Sequence, residues 1–291
     1  MSLADDRALR EVLEGLTRLR LAHDRSIVEP DRRDLPPQRP MIVPALVESA
    51  TLESAVGAEE ASRARGRYLR RDVSVERALP HLAGLGNVLR ESQPDTDRLA
   101  GLVTDIDLLA QASAEDLLFL DLETTGLHRG LIVLLGFMTL GPGERPLTAT
   151  QLFARDYNEE APMLEEFMEV MRARPIFVTF NGRSFDAPYL ESRLRFHGFF
   201  EPLRFAHVDL LHLARRLWGA RLPNCRLVTL ERHLFGRRRV EDLPGSEVPR
   251  VWEDYVRYND LRDLPGIWEH NLRDLATLAE LIVKAAKGEG E

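Results

Sequence analysis

The chain has 291 residues, 44% of them hydrophobic and 30% charged, which is ordinary for a globular protein of one large or two small domains. The formal net charge of −8 argues against a protein that coats nucleic acid by bulk electrostatics. The sequence shows neither a long apolar membrane span nor a secretory signal, so a cytoplasmic location is expected. Cys225 is the single cysteine, which excludes a disulfide framework and a cysteine metal site.

Residues 1–115 give weaker signals than the rest of the chain. Apolar spacing predicts an amphipathic helix within residues 1–30, and the prolines that follow indicate a linker at the start of a poorly defined region, 31–115. Short strands are predicted at 42–48 and 68–73, and helices at 75–79 and 97–110. A mostly helical N-terminal region without an assignable role is therefore expected.

From residue 116 to 287 the pattern predicts one α/β domain. Apolar or alternating runs predict strands at 117–122, 131–140, 147–153, 176–180 and 206–210. Helical spacing predicts helices at 159–172, 184–197, 211–218, 227–235, 250–258 and 265–287, the second with Ser184 as N-cap. Three strands in succession followed by alternating helices and strands predict a mixed central sheet flanked by helices, beginning with an antiparallel meander.

Asp121 and Glu123 stand at the end of the first of these strands. Residues two apart on a strand project to the same face, so the two carboxylates lie side by side. Adjacent carboxylates repel each other and are costly to bury unless a positive charge lies between them, and a divalent cation bound through oxygen supplies that charge. The alternative is a strand that ends by chance in two solvated acids.

Two further segments carry acids of the same kind. Asp186 follows a strand and the turn at Asn181-Gly182, where the helix dipole favours a carboxylate even without a metal. His270 and Asp274 are four residues apart on the last helix and share a face, a spacing that by itself favours a surface pair. They form a site with the other acids only if that helix packs across the strand ends.

Together these segments resemble the three motifs of the DEDD superfamily of 3′–5′ exonucleases, which have the ribonuclease H-like fold, and within it the YprB-like group. The matching segments are FLDLETTGL at 119–127, FNGRSFDAPYL at 180–190, HVDLLHLAR at 207–215, LPNCRLVTLERHLFG at 222–236 and HNLRDLATLAEL at 270–281. The resemblance spans residues 117–283. It implies an enzyme that hydrolyses phosphodiester bonds at the 3′ end of single-stranded DNA or RNA.

The resemblance also implies roles for individual residues. Two Mg²⁺ or Mn²⁺ ions would be bound by four carboxylates, those of Asp121, Glu123, Asp186 and Asp274. The family has a tyrosine four residues, or a histidine five residues, before the last aspartate. This chain has His270 at the four-residue spacing, which makes it the candidate general base, with Glu269 as an outside possibility.

The residues expected near the terminal nucleotide are Thr124, Gly126, Leu127 and Asn181. Two functions outside this reading stay open. One is a catalytically weak or inactive module of the same fold that binds nucleic acid or scaffolds a helicase or repair enzyme. The other, an actin-like ATPase, is disfavoured because it requires glycine where Glu123 stands and glycine-rich phosphate loops.

Overall fold

The computed structural model describes residues 51–92, 101–126, 130–143, 145–201, 205–240 and 242–287. The predicted helix within 1–30, the linker prolines and the predicted strand at 42–48 lie outside these ranges, as does the candidate contact residue Leu127. In the described part of the chain, no helix is both long and apolar enough to cross a lipid bilayer.

Seven strands of the described chain form one mixed sheet, in the order β1-β2-β5-β4-β3-β6-β7. Their bounds are β1 Glu59–Arg63, β2 Gly66–Ser74, β3 Leu117–Thr124, β4 Ile132–Leu140, β5 Leu147–Phe153, β6 Ile176–Thr179 and β7 Ala206–Asp209. The central strand β3 runs antiparallel to β4 and parallel to β6. The predicted mixed α/β sheet, with a meander of β3, β4 and β5, is confirmed.

Helices cover both faces of this sheet. They are α1 Leu52–Val56, α2 Val75–Ala78, α3 Leu85–Glu91, α4 Ile106–Ala110, α5 Glu160–Ala173, α6 Asp186–Phe196, α7 Leu210–Trp218, α8 Leu227–Leu234, α9 Val248–Tyr258 and α10 Leu264–Ala286. Short 3₁₀ turns span Pro80–Leu82, Ala114–Asp116 and Gly245–Glu247.

The region before residue 116 contributes more strand than its sequence predicts. The hairpin of β1 and β2 extends the sheet, since β2 pairs antiparallel with β5 over 69–74. Tyr68 and Leu69 are fully buried on its opposite faces, and arginines on both sides of them obscure the alternation in the sequence. The predicted helix at 97–110 lies partly outside the described ranges, at 97–100. Within 101–110, helix is observed as α4, and Val103 forms a bridge with Val208 of β7.

The alternation of side chains along β3 decides where the acids lie. Leu118, Leu120 and Leu122 face the layer that contains α5 and α6, and Phe119 faces the layer that contains α10. Asp121 and Glu123 continue the row of Phe119, so both project toward the α10 side of the sheet. The longest helix of the described chain therefore packs over the acids.

Candidate active site

Asp121 is held in place by a buried polar contact with α10. Asn271 donates from Nδ2 to Asp121 Oδ2 at 2.8 Å and to the backbone oxygen of Asp121 at 3.1 Å, and its own oxygen accepts from Gln151 at 3.0 Å. Gly136 faces Asp121 in β4, where an added Cβ would come within 1.9 Å of Asn271 Oδ1. Glycine at this position thus allows α10 to approach the sheet closely.

Asp186 reaches the same strand from the other side. The parallel pairing of β3 with β6 ends at Phe119, and beyond it the backbone N–H of Leu122 donates to Asp186 Oδ1 at 3.2 Å. Asp186 is the first residue of α6, and no side chain caps that helix, so the prediction of Ser184 as its N-cap is wrong. The turn instead forms at Asn181, whose carbonyl accepts the N–H groups of Ser184 and Phe185.

His270 and Asp274 bring α10 into the group. His270 Nε2 lies 4.0 Å from Glu123 Oε1 and 3.7 Å from Asp274 Oδ2. The structure therefore brings all five residues, Asp121, Glu123, Asp186, His270 and Asp274, to one place at the end of β3. His270 and Asp274 are partly buried, with side chains 14% and 16% exposed, and are not the surface pair that their spacing alone favours.

Burial and mutual repulsion raise the pKa of each of the four carboxyl groups. For Asp121 and Glu123, burial is the largest cause, and the neighbouring carboxylates raise the pKa further. Burial also raises the pKa of Asp186, to about 7. The pKa of Asp274 is raised by burial, although Arg239 and His270 oppose the shift. Such shifts mark a group that gains from added positive charge.

Arg239 supplies part of that charge from within the chain. Its guanidinium is 9% exposed and reaches Asp274 Oδ1 at 2.5 Å, Glu231 Oε1 at 2.6 Å and Asp242 Oδ2 at 3.0 Å. The sequence pattern does not indicate these contacts, because an arginine run such as that at 237–239 is typical of a solvated loop. Asp242 also lies 3.1 Å from His270 Nδ1. The loop before α9 therefore contributes one positive charge, that of Arg239, and one negative charge, that of Asp242.

The donor set has the chemistry of a divalent-cation site: carboxylate oxygens are the ligands that Mg²⁺ and Mn²⁺ prefer. Asp274 Oδ1 is buried and receives no hydrogen bond, although it lies beside Arg239. As the side chains stand, however, no three His, Cys, Asp or Glu side chains in the described ranges form a ready-made metal site. Asn271 contacts Asp121 Oδ2 and Arg239 contacts Asp274 Oδ1, so a bound cation would compete with these two contacts.

The residues predicted to contact nucleic acid border the acids. Thr124 Oγ1 donates to the carbonyl of Gly126 at 3.0 Å in the turn after β3, whose pairing with β4 is irregular between Glu123 and Thr124. Asn181 is exposed and has a φ of 63°, in the left-handed region. Its N–H donates to Asp209 Oδ1 at 2.8 Å, which fixes the turn before Asp186.

Other candidates are placed elsewhere. Glu269 lies 3.5 Å from Arg71 of β2, and its side chain is 44% exposed. The three tryptophans, Trp218, Trp252 and Trp268, are buried in the core. Asn271 was not predicted from the sequence, although a polar residue within the apolar stripe of α10 indicates a buried polar contact. Arg239 and Asp242 carry no such signal, because their loop has no periodicity.

The sheet is mixed, its central strand β3 carries Asp121 and Glu123 at its end, and α10 packs over these acids. The family model of the RNase H superfamily matches residues 118–286, and the chain belongs to that superfamily. It is 32% identical over 177 residues to the uncharacterized protein YprB of Bacillus subtilis (strain 168), covering 59% of this chain and 42% of YprB. The predicted likeness to ribonuclease H-like proteins and to YprB is confirmed.

A second relative is DNA polymerase 1 of Aeropyrum pernix. The chain is 29% identical to it over 146 residues, which cover 43% of this chain and 14% of the polymerase. The chain thus spans less than half the length of either of these relatives.

The raised pKa values predict how stability depends on pH without divalent ions. Between about pH 4 and 7 the folded chain holds protons on Asp186 and on the other buried acids that the unfolded chain has lost, so its free energy of unfolding falls as pH rises, by about a few kcal/mol. His207 has the opposite effect on stability. Burial lowers its pKa to about 4, so its contribution to the free energy of unfolding rises with pH between about 4 and 6.5.

Urea unfolding in a chelator and in Mn²⁺ separates the two effects, because Mn²⁺ competes with protons only at the acids. The stabilisation by Mn²⁺ is expected to grow from pH 5 to pH 8, toward about 2.7 kcal/mol at 100 times the Kd. An effect of Mn²⁺ that is equal at both pH values would contradict the assignment of the bound protons to the acid group.

Proposed function

We propose that the chain is a metal-dependent nuclease that removes nucleotides from the 3′ end of single-stranded DNA or RNA, and so a 3′–5′ exonuclease of the DEDD type. Two ions, Mg²⁺ or Mn²⁺, would be bound by Asp121, Glu123, Asp186 and Asp274. The second relative is a DNA polymerase, which is consistent with a nucleic-acid substrate. Unpaired 3′ ends are favoured because the site is partly buried beneath α10 and admits a single strand more easily than a duplex.

The observation that carries this proposal is the joint burial of four carboxylates from β3, α6 and α10. Each has a pKa raised by burial, which means that the group destabilises the folded chain at neutral pH. A purely structural domain gains nothing from such a group. Membership of the RNase H superfamily is consistent with the fold that the resemblance to DEDD exonucleases implies.

Different residues of the chain would have different roles in hydrolysis. Bound divalent ions supply Lewis-acid stabilisation of the charge that develops on the phosphodiester oxygens. His270, with Nε2 turned toward Glu123 and Asp274, would accept a proton from the attacking water. Thr124 and Gly126, in the turn after β3, and Asn181, in the turn before α6, would contact the terminal nucleotide and orient its scissile bond.

Single-stranded DNA and RNA oligonucleotides test the proposal directly. With a 5′ label and Mn²⁺ or Mg²⁺, we expect a ladder of products that shorten stepwise, and with a 3′ label we expect release of a labelled mononucleotide as the first product. A chelator should abolish both. Release of a mononucleotide from the 5′ end, or cleavage only within the strand, would contradict the proposed polarity.

Replacing His270 by alanine separates the base from the metal site. Loss of a general base lowers the rate of cleavage by about 10²- to 10⁴-fold, and this loss should fall on kcat rather than on KM. Mn²⁺ binding should change little, since no carboxylate is removed. A variant that cleaves as fast as the wild type would refute the role of His270 and leave the metal site standing.

A second candidate function is favoured by one specific contact. Arg239 already pairs with Asp274, and the side chains as they stand in the described ranges do not form a metal site. A module that binds a 3′ end through the same cleft but cleaves it weakly or not at all, as a partner of a helicase or repair enzyme, fits this arrangement. Saturable binding of the labelled oligonucleotide without product in any divalent ion would identify this module.

A further inference from the structure

Asp242 is a carboxylate beside the candidate site that neither the motifs nor the proposed function uses. It lies in the loop between α8 and α9, and its side chain is 15% exposed. Its Oδ1 accepts from Arg273 Nη1 at 3.0 Å, and its Oδ2 accepts from Arg239 Nη1 at 3.0 Å. Two arginines, one from its own loop and one from α10, therefore fix the orientation of this carboxylate.

The same Oδ2 atom faces the imidazole of His270, at 3.1 Å from Nδ1. A carboxylate can only accept hydrogen bonds, so this contact requires a proton on Nδ1. In a neutral imidazole Nε2 is then the unprotonated nitrogen, and Nε2 is the atom that points toward Glu123 and Asp274. The contact with Asp242 thus leaves a basic nitrogen on the side where the acids lie.

Arg239 offers the competing arrangement. Its Nη1 is 3.5 Å from His270 Nδ1 and could donate to that nitrogen, which would move the proton to Nε2. Asp242 is closer by 0.4 Å and carries the opposite charge to a protonated nitrogen, and Arg239 already donates to that same carboxylate oxygen. The geometry therefore favours Asp242 as the partner of Nδ1.

We propose that Asp242 is the positioning residue of His270: its carboxylate accepts the Nδ1 proton, fixes the imidazole tautomer and ring orientation, and directs the Nε2 lone pair toward the acid group. The consequence for catalysis rests on the proposed nuclease function, whereas the tautomer of the ring does not. Asp242 touches neither substrate nor reacting atoms and acts through His270 alone.

Nitrogen-15 NMR of histidine-labelled protein, free of divalent ions and held at a pH where His270 is neutral, tests the tautomer directly. The signals of His270 are assigned by their absence from His270→Gln. In the wild type we expect a protonated Nδ1 and an unprotonated Nε2. In Asp242→Ala the acceptor for the Nδ1 proton is lost and Arg239 Nη1 can donate to that nitrogen, so the proton should move to Nε2. Asp254→Ala removes another carboxylate bound to arginine, on α9, and should leave the His270 signals unchanged.

Cleavage assays complete the test. Asp242→Ala should lower kcat by about 10²-fold, close to the effect of His270→Ala, with KM unchanged. A protonated Nε2 in the wild type, or a tautomer that is the same in wild type and Asp242→Ala, would overturn the proposal. If the tautomer reverses as expected but the wild type cleaves no oligonucleotide in any divalent ion, the positioning role stands and the proposed function fails.

Discussion

Replacing Asp121 by asparagine is expected to abolish shortening of the 3′ end, with a loss of at least about 10³-fold in rate, or about 4 kcal/mol of transition-state stabilisation. Asp121 lies at the centre of the acid group, between Asn271 on α10 and the carboxylates of Glu123 and Asp186. An amide oxygen keeps the hydrogen bond from Asn271 but is a much poorer ligand for a divalent cation than a carboxylate.

The same substitution is expected to stabilise the folded chain when divalent ions are absent. Burial raises the pKa of Asp121, and the nearby Asp274 and Asp186 raise it further, so its negative charge destabilises the fold at pH 8. Removing that charge should raise the free energy of unfolding by about 0.5 to 2 kcal/mol, as measured by urea unfolding in a chelator.

Opposite changes in activity and stability distinguish this prediction from simple damage to the fold. The exposed Asp107→Asn on α4 is the matched control and should alter neither quantity. An Asp121→Asn variant that cleaves at the wild-type rate would refute the metal site. One that loses both activity and stability would show that Asp121 supports the fold instead.

Replacing Asp209 by alanine is expected to lower the free energy of unfolding by about 3 to 4 kcal/mol. This buried carboxylate, 1% exposed at the end of β7, accepts three backbone N–H groups. Its donors are Asn181 at 2.8 Å, Arg183 at 3.1 Å and Leu211 at 3.0 Å. Without Asp209 these donors lose their acceptor, and the turn that leads to Asp186 loses its anchor.

Urea unfolding of matched variants measures this effect. Asp209→Asn keeps one acceptor oxygen and should cost less than Asp209→Ala. Asp105 also caps a helix, accepting the N–H of Leu108 at 3.0 Å, so Asp105→Ala should cost only about 1 kcal/mol. Equal losses in Asp209→Ala and Asp105→Ala would show that Asp209 serves only as a helix cap.

The sequence predicted the parts of the site that depend on local pattern. Alternation along an apolar strand is enough to put Asp121 and Glu123 on one face, and a strand followed by a glycine turn is enough to put Asp186 at a helix start. Gly182 confirms the tightness of that turn, since an added Cβ would lie 2.2 Å from Thr179 Oγ1. These features are set by backbone geometry over a few residues.

The contacts between distant segments could not be predicted in this way. Helical spacing places His270 and Asp274 on one face but not against β3, and only the resemblance to a family suggested that packing. Arg239 and Asp242 lie in an irregular loop, where long-range contacts leave no periodic signal. The ion pair between Arg239 and Asp274 became visible only when the fold brought α8, the loop and α10 together.

The proposed function requires four carboxylates to bind divalent cations together, and a titration with Mn²⁺ followed by electron paramagnetic resonance tests this binding most directly. The signal of free Mn²⁺ counts the ions that remain unbound, with the wild type and Asp121→Asn measured at equal concentration. We predict saturable binding of two ions per wild-type chain and the loss of at least one of them in Asp121→Asn. No saturable binding by the wild type, or equal binding by both chains, would contradict the proposed function.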